Sequence, residues 1–303
     1  MTSWKDPEIA GVRALLAARQ PDPGAPPPSL EESRAAMEDG FGEMAALPAG
    51  CFHEPVTMGG VKGERVVPQG ALAGRMVLYL HGGGYLGGSA RGHRALIARV
   101  AEAARAVAVA PDYRLAPENR FPAAVEDAVA VYRALLEAGT EPGQLIVAGD
   151  SAGGGLTLAL ALALKAEGLP QPAGFFAMSP WADLTQSGAS YEAKAETDTM
   201  ITKATLDGAA LAYLGGLDAR DPLASPIFGD FEGVAPVLIQ TGSEEALLSD
   251  SITMADVLAH ARVDVRLEVW PEMIHVFHYF GERLQAARRA VRLAGAWMEE
   301  RFA

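Results

Sequence analysis

Two glycine-rich clusters in this chain have the residue types and spacing for nucleophilic chemistry. Gly149-Asp150-Ser151-Ala152-Gly153 sets a serine between glycines. It follows a β-prone run and opens a helical one, the context in which a sharp turn lifts a hydroxyl to its apex. A glycine-rich helix start is the plain alternative, and the pattern alone is weak: 33 glycines and 12 serines in 303 residues give about 0.14 copies by chance. His81-Gly82-Gly83-Gly84-Tyr85 directly follows another β-prone run, with a chance expectation of about 0.01 copies. Consecutive glycines leave their N–H groups unshielded. The expected oxyanion donors are therefore Gly83 and Gly84, together with Ala152 after the serine. A phosphate cradle would want Lys-Ser/Thr after the glycines, and none follows. His81 is read as a structural residue that holds the loop through hydrogen bonds.

A serine nucleophile needs a base, and an acid to orient that base, in chain order serine, acid, histidine. Of the six histidines, only His260, His275 and His278 follow Ser151. His260 falls inside an amphipathic helical stretch. His275 follows a β-prone run and a short loop, where an imidazole can be aimed at a sheet edge, and it is the expected base with His278 as second choice. The carboxylates that could orient it cluster in Thr241–Asp250, where Glu244, Glu245 and Asp250 are candidates. Acids at a helix start are also common for reasons of dipole alone.

Positioning these residues requires a particular scaffold. From about residue 75, short β-prone runs alternate with helical ones, which argues for an α/β fold with a mostly parallel sheet flanked by helices. The expected strands are Met76–Leu80, Val107–Ala110, Leu145–Ala148, Phe175–Ser179, Val237–Gln240 and Val265–Trp270. Helices are expected at about 92–104, 122–138, 152–168, 249–262 and 280–302. Several strands lack polar alternation, as expected when both faces are covered. Residues 183–215 interrupt the rhythm with a helical insertion (Tyr191–Asp198, Lys203–Leu214), placed where it can lie over the carboxyl edge of the sheet. The first 50 residues offer two helices, 7–19 and 30–46, separated by a proline-rich run at 21–28 that suits neither helix nor central strand. The expected organisation is a helical cap from 1–50 and 183–215 on a catalytic domain of 51–182 and 216–303.

Composition narrows the partners. Half of the residues are hydrophobic, enough for a large core, and 25 Lys+Arg against 38 Asp+Glu give a net charge of −13. Phosphate backbones and anionic membranes repel such a surface, so neither nucleic acid nor a membrane is an expected partner. The single Cys51 offers no internal disulfide or metal spacing. The N-terminus does not read as a signal peptide, and the most apolar stretch, Leu156–Leu164, is far short of a membrane span. A cytoplasmic protein is expected.

The motifs together resemble the hormone-sensitive-lipase-like branch of the α/β-hydrolases, the bacterial family IV esterases. The resemblance is carried by His81–Tyr85, Asp112-Tyr-Arg-Leu-Ala-Pro-Glu118, Phe121-Pro-Ala-Ala-Val-Glu-Asp127, Gly149–Gly154, Asp221-Pro-Leu-Ala-Ser-Pro226 and His275-Val-Phe277, in the family's order. Asp150 before the nucleophile is similar to one sub-branch and is taken as a supporting residue. The resemblance implies a serine carboxylesterase acting on short- to medium-chain esters, with Ser151 as nucleophile, His275 as base, the three backbone donors above, and no cofactor or metal. Where most relatives carry Asp-Pro-Leu, this chain has Glu245-Ala-Leu247, so the resemblance selects Glu245 as the acid. By the same analogy the edge strand near Val265–Trp270 is a homodimer surface. Asp112 and Arg114 are read as a buried ionic scaffold, and Trp181 and Asp183 as pocket lining or cap base. Two rivals use the same fold: an amidase or lactonase with the same triad, and a non-catalytic protein that binds a small ligand.

Overall fold

The computed structural model describes residues 5–19, 28–44 and 46–303. Except for Pro28, the proline-rich run lies outside the described residues. The strands are β1 Phe52–Met58, β2 Val61–Val67, β3 Met76–Leu80, β4 Val107–Pro111, β5 Leu145–Asp150, β6 Gly174–Met178, β7 Val237–Gly242 and β8 Val265–Trp270. They form one sheet in the order β1-β2-β4-β3-β5-β6-β7-β8. From β4 to β8 every neighbouring pair is parallel, while β1 and β2 add an antiparallel edge.

That antiparallel edge is absent from the sequence reading. Its signal was Gly59-Gly60, both at positive φ, joining two β-prone runs so that Met58 pairs with Val61. Polar alternation and an internal proline hid it, as expected for strands that keep one side toward water.

The helices are α1 Ile9–Ala17, α2 Leu30–Met44, α3 Ala90–Ala103, α4 Ala123–Glu137, α5 Ala152–Ala166, α6 Ser190–Ala193, α7 Lys203–Leu214, α8 Leu248–His260 and α9 Gln285–Arg301. The pleat divides the core in two. Leu78, Leu80, Val147, Phe175, Ala177 and Ile239 face a cluster that includes residues of α4, α5, α7 and α8. Val77, Tyr79, Ala148, Phe176, Met178 and Leu238 face a second cluster with α1, α3 and α9. Strands buried on both faces read as continuous apolar runs, which explains why the central ones were visible in sequence. Helix α5 is buried from Ala152 to Leu164, apolar all round, and supplies a rigid base for whatever precedes it.

The insertion departs from expectation in one piece. Helix α7 forms as read, but the earlier segment is helical only over Ser190–Ala193. Downstream of it, the Asp198 carboxylate takes the N–H groups of Met200, Ile201 and Ala246, so the chain satisfies its donors through a tertiary contact instead of a helix. Among the described residues, no helix is long and apolar enough to cross a membrane.

Candidate active site

Because β3 to β8 are parallel, the residues that follow β5, β6, β7 and β8 all emerge on one edge of the sheet. Ser151 caps β5 with φ 54° and ψ −122°, a conformation that costs a non-glycine residue of order 1–3 kcal/mol. Backbone holds it there: its N–H donates to Met178 O at 2.9 Å, and its carbonyl accepts from Trp181 N at 2.9 Å and Gly155 N at 3.0 Å. The turn is so tight that a Cβ on Gly153 would overlap the carbonyl oxygens of Leu80 and His81.

His275, in the loop after β8, places Nε2 2.9 Å from Ser151 Oγ and Nδ1 2.7 Å from Glu245 Oε2. The hydrogen-bonded order is thus serine, imidazole, carboxylate. Glu245 is fully buried. Its other oxygen accepts from Gly242 N at 2.5 Å, Ser179 Oγ at 3.0 Å and the Thr241 hydroxyl. Ser179 in turn accepts the N–H of Val276, tying the acid to the loop that carries the imidazole. Burial pulls the His275 imidazole toward neutrality, but the bond and charge of Glu245, with the charges of Asp198 and Asp150, outweigh it. The net result is an imidazole pKa above its ordinary 6.5.

The neighbouring candidates point elsewhere. Glu244 accepts from Ser243 Oγ and pairs with Lys194 at 3.2 Å. Asp250 accepts Ala182 N, Asp183 N and the Tyr191 hydroxyl, and burial pushes its carboxyl up to about 8. His278 lies against Gln240 Oε1 at 3.0 Å, with burial pushing its imidazole down to about 3. Side-chain direction, which spacing does not encode, separates adjacent Glu244 and Glu245.

The glycine loop sits beside the elbow. Gly83 has φ 122° and leaves no room for a Cβ against Gly87 O, so glycine is required there. Among the described residues, no intramolecular acceptor faces the N–H groups of Gly83, Gly84 or Ala152. His81 is fully buried, with Nδ1 2.8 Å from Gly82 O and its ring stacked on Tyr113 at 4.2 Å. Burial, and then the nearby His93, push its imidazole down to about 3, so it stays neutral and serves as loop framework.

Asp150 joins the loop to the rest. Its carboxylate accepts the Tyr79 hydroxyl at 2.7 Å, Gly82 N at 3.2 Å and the Tyr279 hydroxyl at 2.8 Å, and His93 Nε2 stands 3.6 Å away. Burial alone would raise its pKa. His93 and the tyrosine hydroxyls more than offset that and hold the group below the ordinary carboxylate range.

Helices α7 and α2 both contact the region of the glycine loop. Tyr213 of α7 stacks on Tyr85 at 3.9 Å, and Ala209 of α7 lies 3.7 Å from where a Cβ on Gly84 would stand. From α2, Arg34 donates to the carbonyls of Leu86 at 2.6 Å and Ala116 at 2.9 Å. Trp181 is fully buried and Asp183 nearly so. The Asp183 carboxylate accepts Thr185 N and Ser187 N, binding its own turn. Asp112 accepts Ala90 N at 2.7 Å, and Arg114 pairs with Asp127 at 2.8 Å. Asp112 and Arg114 are exposed as residues while Asp127 is buried, so the expected buried scaffold lies at the boundary between surface and interior. Sequence reasoning missed Ser179, Thr241 and Asp198. The first two stand at strand ends, the position that singled out Ser151 and His275, whereas Asp198 left no signal.

A largely parallel sheet that presents serine, imidazole and carboxylate in hydrogen-bonded order on one edge defines a hydrolase of the α/β class. Comparison agrees: residues 77–279 match the family model described as the alpha/beta hydrolase fold. An acetyl-hydrolase of Streptomyces hygroscopicus is 44% identical over 261 residues, 86% of each chain. Among solved structures, EstE5 soaked with p-nitrophenyl butyrate is 41% identical with a TM-score of 0.93, covering 98% of this chain and 99% of that one. An esterase from the bacterial hormone-sensitive lipase family is 37% identical with a TM-score of 0.94, covering 99% and 100%. The chain belongs to the α/β-hydrolase family, in its bacterial hormone-sensitive-lipase-like branch.

Proposed function

We propose that this carboxylic ester hydrolase works by acyl transfer to Ser151 and then to water. The observation that carries the reading is the unbroken line Glu245–His275–Ser151, with bonds of 2.7 and 2.9 Å, beside unengaged N–H groups. His275 Nε2 takes the Ser151 proton as Oγ attacks the ester carbonyl. Glu245 holds the imidazole in the matching tautomer and stabilises its charged form. The N–H groups of Gly83, Gly84 and Ala152 receive the oxyanion, each contributing about 3 kcal/mol in the transition state. The tetrahedral adduct collapses as His275 returns the proton to the leaving alkoxide, giving alcohol and acyl-enzyme. Water, deprotonated by the same imidazole, then releases the acid and restores Ser151.

Segments 1–50 and 183–215 act as the cap, with Ala209 and Tyr213 facing the glycine loop. Family likeness, including the EstE5 structure soaked with a butyrate ester, supports short- to medium-chain substrates. A homodimer through the edge strand β8 belongs to the same proposal, and the exposed Val269 on that strand is what supports it.

The test is hydrolysis of p-nitrophenyl butyrate, combined with mass spectrometry after an organophosphate. The expected result is turnover, one adduct on Ser151, and loss of both in Ser151→Ala with the fold retained. Near-wild-type turnover by Ser151→Ala would refute the elbow reading, and faster cleavage of a matched anilide would move the assignment to an amidase.

A further inference from the structure

Polar side chains of the insertion between β6 and β7 bracket the residue that orients the imidazole. Lys194 pairs with Glu244 on one side of Glu245. On the other side, Asp198 Oδ2 accepts Ala246 N at 2.8 Å, and Ser190 Oγ donates to Ala246 O. Both backbone polar groups of Ala246 are therefore spent on the insertion. Asp198 is 7% exposed, and its other oxygen accepts Met200 N at 2.9 Å and Ile201 N at 3.0 Å. Three N–H donors thus converge on a carboxylate that, among the described residues, has no Lys or Arg partner.

We propose that Asp198 is a positioning residue of the triad: it fixes the Glu245–Ala246 peptide so that the Glu245 carboxylate meets His275, and its charge stabilises the imidazolium that forms as Ser151 gives up its proton. This rests on Glu245 and His275 being acid and base. The insertion then acts on the chemistry as well as on access to the site.

His275 touches Glu245 from the loop after β7 and Ser151 from the elbow. Asp198 from the insertion and Asp150 from the elbow act on it through their charge, and it is coupled in the same way to His278 from the segment after β8. Asp150 is bonded to the Tyr79 and Tyr279 hydroxyls and to Gly82 N, and Glu245 is the direct partner of His275. Neither Asp198 nor Asp150 hydrogen-bonds His275; Asp198 holds the backbone next to Glu245, so its effect on the imidazole runs through the placement of Glu245 and through its charge. An asparagine there cannot serve all three N–H groups, because one end of its amide is a donor. Losing the charge also disfavours the imidazolium, so the pH at which His275 becomes a competent base falls.

Kinetics on p-nitrophenyl butyrate, normalised to Ser151 labelled by an organophosphate, test the proposal in wild type, Asp198→Asn, Asp198→Glu and Glu196→Gln. Asp198→Asn is expected to lower kcat roughly tenfold or more with KM changed less than about threefold, and to move the acid-side midpoint of kcat/KM to lower pH. Glu196→Gln removes the same charge from an exposed position two residues earlier and is expected to do neither. Asp198→Glu keeps the charge and displaces the acceptors, so kcat should fall with the midpoint held. A folded Asp198→Asn with near-wild-type kcat, or with lowered kcat but an unmoved midpoint, overturns the proposal. If Asp198→Asn does not fold, undiminished kcat in Asp198→Glu overturns it. Failure of the underlying reading looks different: wild type would not label on Ser151, or Glu245→Gln would keep full activity.

Discussion

Ser151 is held chiefly by backbone, whereas Glu245 is held chiefly by side chains. At the elbow, the carbonyl of Met178 and the N–H groups of Trp181 and Gly155 lock the serine, and Gly153 lets two chain segments approach within the reach of a missing Cβ. At the acid, hydroxyls from Ser179 and Thr241 grip the carboxylate, and three residues of the insertion grip its neighbours. In the proposed mechanism the nucleophile needs one strained geometry, and close-packed peptide supplies it with few adjustable torsions. The acid has only to meet an imidazole at the right distance and angle. Many side-chain arrangements can do that, so substitution at its supports should degrade activity in steps.

The largest expected effect separates two chemically identical neighbours. Glu245→Gln should lower kcat by up to about 10⁴-fold, since an amide cannot stabilise the imidazolium or enforce its tautomer. Glu244→Gln, which loses a bond to Lys194, should stay within about tenfold of wild type, or roughly 1.4 kcal/mol. Side-by-side initial rates decide this; a reversed order would move the acid to Glu244.

A stability measurement sharpens the contrast at the elbow. Gly153→Ala must push the Leu80 and His81 carbonyls aside, an overpacking cost of about 1–3 kcal/mol that should lower Tm by several degrees. Gly208→Ala on α7, where nothing lies within 4 Å, should leave Tm unchanged or slightly raised. Equal tolerance at both positions would mean that backbone packing does not define the elbow.

The smallest effect is a shift in pH dependence. His275 must be neutral to accept the serine proton, so kcat/KM should rise with pH through the imidazole's pKa. Because Glu245 and the nearby anions outweigh burial, that midpoint should lie above the ordinary 6.5. In Glu245→Gln the residual activity should titrate at lower pH than in wild type. A wild-type midpoint at or below 6.5 would contradict the electrostatic arrangement around His275.

Sequence alone determined the parts of this protein that depend on local chemistry. The central parallel strands were legible because burial on both faces demands apolar runs. The elbow and the glycine loop were legible because close backbone approach admits only glycine, and glycine leaves a mark in any sequence. His275 could be chosen from its place after a strand. What only the tertiary structure decided is direction and company. Glu244 and Glu245 differ in where their side chains point, and Ser179 reaches Glu245, and Asp198 its neighbour Ala246, from segments far apart in the chain. A hydrogen bond between distant residues imposes no periodicity and needs only a donor and an acceptor, which polar residues supply everywhere. The antiparallel edge of β1 and β2 escaped notice for a related reason: one side of it faces water, so its residues need not be apolar.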